Sequence, residues 1–288
     1  RPPRSTLFPY TTLFRSQVSE NRGGMNPVEI SERNGPIILS QPHGGTFLPP
    51  ELSKRLNERG LALADTDWHI NRLYDGLLLG ATVVQATFSR YLIDANRDPS
   101  GTSLYPGQNT TDLCPTVDFD GLPIYKDETE PSTEEIETRR KNYHSVYHTV
   151  LSEQIERVHK IHGFVLLFDC HSIRSNIPFL FEGQLPDFNL GTNNGSTCDP
   201  KIEQSAIEVF SEVEDYSSVL NGRFKGGWTT RHYADTANGI HTIQLELAQR
   251  TYMDEFSPWI YREERSLKIR IHLKKLLSCL EQLISSFT

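Results

Sequence analysis

One stretch limits the possible fold more than any other: residues 163–172, which read GFVLLFDCHS. Its five consecutive apolar residues are typical of a strand that is buried on both faces, as in a sheet covered by helices. Asp169 and His171 follow at the carboxyl end of this strand, where open α/β sheets bind their ligands. The stretch therefore predicts an α/β protein with a site at that edge of its sheet.

Three more apolar runs lead to polar residues in the same way. They are residues 37–40 followed by His43, residues 91–93 followed by Arg97, and residues 240–247, which contain Glu246. A capping-box pattern at 132–135 predicts a helix that ends near residue 161, just before the first stretch. This alternation predicts a three-layer fold, in which helices flank a mostly parallel or mixed central sheet.

Composition and charge exclude several classes of protein. The 288 residues carry a formal net charge of -8, which argues against a nucleic-acid partner. No run approaches the roughly 18 apolar residues of a transmembrane helix, so we expect no membrane partner. The four cysteines are far apart, which fits free thiols in a reducing cytosol. We therefore expect a cytoplasmic protein, and no pattern predicts its oligomeric state.

The first 24 residues differ from the rest. Back-translated, residues 1–16 match one reading frame of a common short-read sequencing adapter. We therefore predict that residues 1–24 are a non-native leader, made of adapter-derived and upstream translated sequence, and that residues 25–288 form a single domain. The alternative is a basic targeting peptide, which would need an apolar core or an amphipathic Arg/Ser pattern.

Residues 98–124 form a long polar segment that is rich in proline and glycine. Compact domains rarely carry a loop of this length unless it serves a site, so we predict that it covers the substrate. A disordered surface insertion is the alternative. The aromatic and leucine side chains of the segment argue against disorder.

Two histidines follow predicted strands, and both are candidate metal ligands. His43 precedes two glycines that let backbone approach a ligand, although a histidine that only holds a turn is the alternative. His171 lies two residues after Asp169, on the same face of the strand, so Asp169 is a candidate to orient it. A nucleophilic Ser172 is the competing interpretation, but the GxSxG pattern is absent.

A third ligand could come from residues 65–69, at the start of a helix predicted over 65–79. Asp65 and His69 are four apart and share a helix face. The alternatives are that Asp65 caps the helix, that Asp67 is favoured there by the helix dipole, and that His69 is a core residue. Two histidines with one further His or Asp, and an open fourth position, form a catalytic zinc site.

The remaining candidates would act on a substrate. Glu246 lies in an otherwise apolar strand, so burial would raise its pKa toward the range of a general base. Arg97 could stabilise an oxyanion or bind a carboxylate. Arg174, Arg223 and Arg231 are further candidates for anion binding. The alternatives are a structural salt bridge for Glu246 and surface or structural roles for the arginines.

Seven motifs together resemble the N-formylglutamate amidohydrolase family. They are Pro42–Gly45, Asp65–His69, Asp94–Arg97, Gly107–Thr111, Asp169–Ser172, Gly226–His232 and Gln244–Glu246. The resemblance implies a zinc-exopeptidase-like fold and the hydrolysis of N-formyl-L-glutamate, a small acidic substrate, to formate and L-glutamate in histidine breakdown. A divalent metal, zinc above all, is the implied cofactor.

A more distant resemblance to zinc carboxypeptidases and aspartoacylases assigns roles to residues. His43, the Asn96–Arg97 pair, His171 and Glu246 match in order, which implies that Asn96 binds substrate. The residue three after His43 is Thr46, which cannot replace the carboxylate ligand of those enzymes. For the third ligand we favour His69, then Asp67, with Asp65 in support.

Three other functions compete with this one. They are a related zinc-dependent deacylase or carboxypeptidase acting on another acidic N-acyl amino acid, a non-catalytic anion-binding module, and a metal-free serine hydrolase that uses Ser172. Metal chelation, substitution of Glu246 and the choice of acyl group would distinguish them.

Overall fold

A computed structural model describes residues 25–103 and 107–287. The predicted leader, residues 1–24, lies outside the described residues, as do residues 104–106 of the predicted covering loop. The described chain contains one sheet of seven strands. These are β1 (Val28–Ser31), β2 (Ile37–Gln41), β3 (Thr82–Ala86), β4 (Val165–Ile173), β5 (Phe188–Gly191), β6 (Ser218–Leu220) and β7 (Ile240–Ala248).

The sheet is mixed, and its strand order is β1-β3-β2-β4-β7-β5-β6. The four strands β3, β2, β4 and β7 run parallel to one another. The strands β1 and β5 pair with β3 and β7, respectively, in the antiparallel sense. The register aligns Ser40 with Asp169, and His171 with Glu246. Because opposed residues of neighbouring strands point to the same face, these polar side chains meet at one edge of the sheet.

Helices cover both faces of the sheet, which confirms the α/β fold with flanking helices. The helices are α1 (Pro50–Ser53), α2 (Glu58–Leu61), α3 (Ile70–Tyr74), α4 (Thr133–Arg139), α5 (Ser145–His162), α6 (Pro200–Ser211), α7 (Trp228–Tyr233) and α8 (Glu263–Ile284). A π-helical segment, Arg140–His144, joins α4 to α5, and two 3₁₀ turns are formed by Thr236–Asn238 and Gln249–Thr251.

Two apolar clusters hold these layers together. Leu167 and its neighbours pack against Leu151 and Ile155 of α5 on one face, and Phe168 packs with residues of α3, α6 and α8 on the other. Side chains alternate along β4, so Asp169 and His171 lie on the α5 face. Within the described ranges, no helix is both long and apolar enough to cross a bilayer.

Two local predictions were wrong. Residues 91–93 form a turn rather than a strand, and the backbone N–H of Leu92 donates to the carbonyl of Ser89. The predicted 65–79 helix is reduced to α3, because residues 65–69 instead contact the end of β2, with the N–H of Asp67 donating to the carbonyl of His43. In both segments tertiary contacts override the local apolar pattern.

Candidate active site

Three buried side chains converge where β2 and β4 end: His43, Asp67 and His171. The two Nδ1 atoms are 3.1 Å apart, and Asp67 Oδ2 lies 3.3 Å from His171 Nδ1 and 3.9 Å from His43 Nδ1. Ligands that bind one tetrahedral ion at about 2.0 Å are about 3.3 Å apart. The group therefore fits a divalent metal, with two nitrogens and one carboxylate oxygen as donors.

Each histidine is oriented from behind by its own carboxylate. Asp94 Oδ1 lies 2.7 Å from His43 Nε2, and Asp169 Oδ2 lies 2.8 Å from His171 Nε2. A carboxylate at one ring nitrogen favours a proton there and leaves the other nitrogen as a lone-pair donor. Both Nδ1 atoms are thus presented to the same point, as a metal site requires.

The pKa values of the two imidazoles nevertheless shift in opposite directions. Burial lowers the pKa of His43, and the charge of Arg90 lowers it further, which outweighs the opposing effect of Asp94. Burial also disfavours the charged form of His171, but Asp169 and Asp67 outweigh it and raise the pKa of His171 well above its usual value. Without a metal, His171 therefore carries a proton that a metal ion would have to displace.

Glu246 lies beside this group, opposite His171 in the β4–β7 ladder. Its side chain is 7% exposed, and Gln244 Nε2 donates to its Oε2 over 3.3 Å. Burial raises the pKa of Glu246 to about 8 against the opposing charge of His171. A carboxyl group with a pKa in this range can accept and return a proton near neutral pH.

One pocket opens over these residues. His43, His171 and Glu246 line its floor. Residues 101–103 and 109–113 of the long polar loop line its wall, together with Phe119. The described part of the loop thus borders the group, and its predicted role in covering a substrate stays a prediction.

The structure separates the candidate arginines into two sets. Arg97 and Arg223 line the pocket, whereas Arg174 and Arg231 are not among its described lining residues. Arg97 donates to the carbonyl and the hydroxyl of Thr111, both over 3.0 Å. Arg174 instead pairs with Asp120 over 3.1 Å, and Arg231 Nε donates to the carbonyl of Gly226.

His69 and Asp65 lie outside the three-residue group, which corrects our preference for the third ligand. His69 Nε2 is 2.7 Å from the carbonyl oxygen of Trp259, and the residue adopts a left-handed backbone (φ 62°) at the start of α3. Asp65 accepts from the Tyr91 hydroxyl over 2.8 Å and does not contact either ligand histidine in the described chain. Asp67 takes the third position instead.

Asn96 lies in the pocket wall, but its amide faces the protein. Its Oδ1 accepts from the N–H of Thr229 over 2.8 Å, and its Nδ2 lies 3.1 Å from His171 Nε2 and 3.5 Å from Asp169 Oδ2. In this structure Asn96 thus supports the His171–Asp169 pair, and its predicted contact with substrate stays a prediction.

The sequence interpretation missed Arg90 and Asp94. Arg90 is buried and donates to Asp94 Oδ2 over 2.6 Å, while Asp94 Oδ1 contacts His43. The signal was present, because two opposite charges four residues apart enclose the apolar residues 91–93. A run that is charged at both ends favours a buried ion-paired turn over a strand.

Ser172 does not form a nucleophilic triad. Its hydroxyl accepts from Tyr252 over 2.7 Å and lies on the opposite face of β4 from His171, in line with strand alternation. Cys170 is fully buried and packs in the core cluster on that same opposite face. Neither side chain can reach a substrate beside His171.

Comparisons with known proteins point to one family. The N-formylglutamate amidohydrolase family model matches residues 35–253. An N-formylglutamate deformylase from Pseudomonas putida is 47% identical over 246 residues, which cover 85% of this chain and 92% of that protein. A second from Pseudomonas aeruginosa is 46% identical with the same coverage.

Solved structures share the fold. The crystal structure of an N-formylglutamate amidohydrolase from Ralstonia eutropha matches with a TM-score of 0.77 and 24% identity, over 92% of this chain and all of that one. A gene product of Agrobacterium tumefaciens matches with a TM-score of 0.68 and 17% identity, over 90% of this chain and 96% of that one. The resemblance carried by the sequence motifs is thus confirmed: the chain belongs to the N-formylglutamate amidohydrolase family.

Proposed function

We propose that this protein hydrolyses the amide C–N bond of N-formyl-L-glutamate to give formate and L-glutamate, with a divalent ion, zinc, as cofactor. Family membership and the names of its relatives support the reaction. The observation that carries the proposal is the buried His43–Asp67–His171 group beside Glu246. The reaction would be the last step of a histidine degradation route in the cytoplasm.

His43, Asp67 and His171 would hold the ion and leave a fourth position open toward the pocket. A divalent ion bound there supplies a water of lowered pKa and polarises the carbonyl under attack. The same arrangement supports the finer fold assignment, a zinc-exopeptidase-like sheet, because the two histidine donors lie at the carboxyl ends of β2 and β4.

Glu246 would move the proton. Its raised pKa fits a group that takes a proton from water as the water attacks the formyl carbon and returns it to the leaving amine. Arg97 lines the same pocket and would face the oxyanion that develops on the formyl oxygen. Glu246 would thus transfer the proton, and Arg97 would stabilise the negative charge of the oxyanion.

The carboxylates of the substrate would meet arginines at the pocket wall. Arg223 lines the pocket, and its Nη2 donates to the carbonyl of Asn109 over 3.2 Å. Asn109 in turn donates to the carbonyl of Phe179, so Arg223 lies where the covering loop meets the rest of the protein. A substrate carboxylate bound by Arg223 would therefore lie beside the covering loop.

The direct test is formate release from N-formylglutamate, with and without a chelator. We expect turnover that chelation abolishes and zinc restores. Comparison with N-acetylglutamate and a peptide ending in glutamate tests the related deacylase and carboxypeptidase functions. No formate release under any metal condition would refute the proposal and favour an anion-binding module.

Replacing Glu246 with Gln should lower kcat by about 10³-fold while zinc stays bound, because the variant keeps the shape but loses the base. Zinc content and formate release are measured on the same preparation. Glu203→Gln is the control, since Glu203 bonds Thr192 away from the pocket. Near-normal turnover of Glu246→Gln would remove Glu246 from the mechanism.

A further inference from the structure

Arg90 is a buried charge under the candidate metal site, and the mechanism above gives it no role. Its side chain is 7% exposed. One nitrogen, Nη2, donates to Asp94 Oδ2 over 2.6 Å, and the other, Nη1, donates to the carbonyl of Asp65 over 3.3 Å. The guanidinium also lies 4.6 Å from the centre of the Phe119 ring, and Arg90 and Phe119 both line the pocket.

The contacts of Arg90 divide the oxygens of Asp94 between two tasks. Oδ1 accepts from the N–H of Asn96 over 2.8 Å and contacts His43 Nε2, while Oδ2 is bound by Arg90. Arg97 is the next nearest cation, 3.7 Å from Oδ2. The carboxylate plane is therefore fixed at both ends, and the ring of His43 is fixed with it.

The two carboxylate oxygens of Asp67 also have different contacts. Its Oδ2 faces His171 and His43 and accepts from the N–H of Ser172 over 3.1 Å. Its Oδ1 has no hydrogen-bond partner in the described part of the chain, and Arg90 Nη1 lies 3.8 Å from it. The guanidinium attracts Oδ1, which faces away from the histidines, and Oδ2 stays available to bind an ion.

We propose that Arg90 is a positioning residue that sets the metal affinity of this site by hydrogen-bonding the carboxylate of Asp94 and attracting that of Asp67. The proposal rests on the metal site proposed above. Arg90 needs no contact with the ion or with substrate. It acts through Asp67, a candidate ligand, and through Asp94, the carboxylate behind His43. A planar fork can serve two carboxylates at fixed angles, which a lysine ammonium cannot do.

A purely structural role is the competing explanation, since the Arg90–Asp94 pair also stabilises the turn at 91–93. Such a role predicts that substitutions lower the unfolding free energy but leave the zinc affinity of the folded protein unchanged. The proposal predicts that zinc affinity falls even where the fold is intact. Removing a partner behind a metal ligand typically lowers metal affinity by about 10- to 100-fold.

The test compares Arg90→Lys with Arg139→Lys. Arg139 is equally buried and donates to the carbonyl of Leu92 and the hydroxyl of Tyr125, away from the ligand group. The Kd for Zn²⁺ is measured by competition with a chelating dye at low temperature, after circular dichroism confirms the fold. We expect about a tenfold or greater increase in Kd for Arg90→Lys and none for Arg139→Lys.

Arg90→Gln is the second variant, because it keeps a donor for Asp94 but loses the charge. If only one of the two Arg90 variants folds, its Kd for Zn²⁺ is sufficient for the test. A wild-type Kd retained in a folded Arg90 variant would overturn the inference alone. A wild-type protein that binds no Zn²⁺ would instead overturn the proposed metal site. An equal loss of affinity in Arg139→Lys would assign the effect to general destabilisation and also overturn the inference.

Discussion

The two candidate histidine ligands are supported by the same contact in different electrostatic settings. Behind His43, the carboxylate of Asp94 is bound by the charged Arg90. Behind His171, the carboxylate of Asp169 is bound by a neutral donor, the Ser40 hydroxyl, over 2.7 Å. We refer to these as the charged support and the neutral support.

The difference explains why the two imidazoles have opposite pKa shifts. In the charged support, Arg90 cancels much of the field of Asp94, so burial keeps His43 neutral. In the neutral support, the charge of Asp169 is not cancelled, and together with Asp67 it raises the pKa of His171 despite burial. One ligand is therefore ready to bind a metal, and the other must first release a proton.

The largest expected effect concerns Asp67, the ligand between the two supports. We expect Asp67→Ala to lose bound zinc and nearly all formate release, because it removes one of three donors. His69→Ala should retain zinc, since the ring of His69 contacts Trp259 instead. Metal analysis of both purified variants checks this, and zinc loss from His69→Ala alone would restore His69 as the ligand.

The supports should differ in how they tolerate loss of their carboxylates. Asp94→Asn leaves a buried Arg90 without its partner, so we expect a loss of about 3–5 kcal/mol in the free energy of unfolding. Asp169→Asn leaves His171, whose imidazole can release its proton as the guanidinium of Arg90 cannot, so we expect about 1–3 kcal/mol. Urea unfolding of the metal-free variants measures both, and equal losses would contradict the distinction between the supports.

The pH dependence of stability provides a third test. His171 and Glu246 both bind a proton more tightly in the folded chain than in the unfolded one. Between about pH 6.5 and about pH 8 the folded state therefore holds more protons, and stability falls as the pH rises, by about 2 kcal/mol per pH unit for the two groups together. Metal-free protein should show this slope in urea unfolding, and His171→Gln should reduce it. A flat profile in the metal-free protein would contradict the raised pKa values.

The smallest expected effect concerns Ser40, the hydroxyl donor of the neutral support. Ser40→Ala removes the donor to Asp169 and leaves the hydroxyl of buried Tyr147 without its 2.9 Å partner. We expect a loss of about 1–2 kcal/mol in unfolding free energy and a modest decrease in zinc affinity. Tyr147→Phe is the matched control, because it should cost a similar amount and leave zinc affinity unchanged. Zinc loss from Tyr147→Phe as large as that from Ser40→Ala would place the effect in packing.

The sequence predicted those parts of the site that regular strands carry. His43, Asp169, His171 and Glu246 follow or end apolar runs, and a shared sheet edge brings them together. Asp67 and Arg90 lie on turns, where residue spacing does not determine direction. The choice between His69 and Asp67 depended on a left-handed backbone at His69, which no apolar period encodes. The turn that contains Tyr91 and Leu92 depends on the buried Arg90–Asp94 pair, which an apolar run does not encode either.

The alignment of His171 with Glu246 across two parallel strands has a consequence for how such a protein can change. The relative height of these two side chains is set by the β4–β7 ladder rather than by the chain that connects them. Insertions and deletions in the loops between residues 174 and 239 can therefore reshape the pocket wall while the distance between the candidate ligand His171 and the candidate base Glu246 is conserved. A single-residue insertion within β4 or β7 would instead turn one of them to the opposite face of the sheet. Substrate preference can thus evolve through loop length, whereas the reaction itself is protected by strand register.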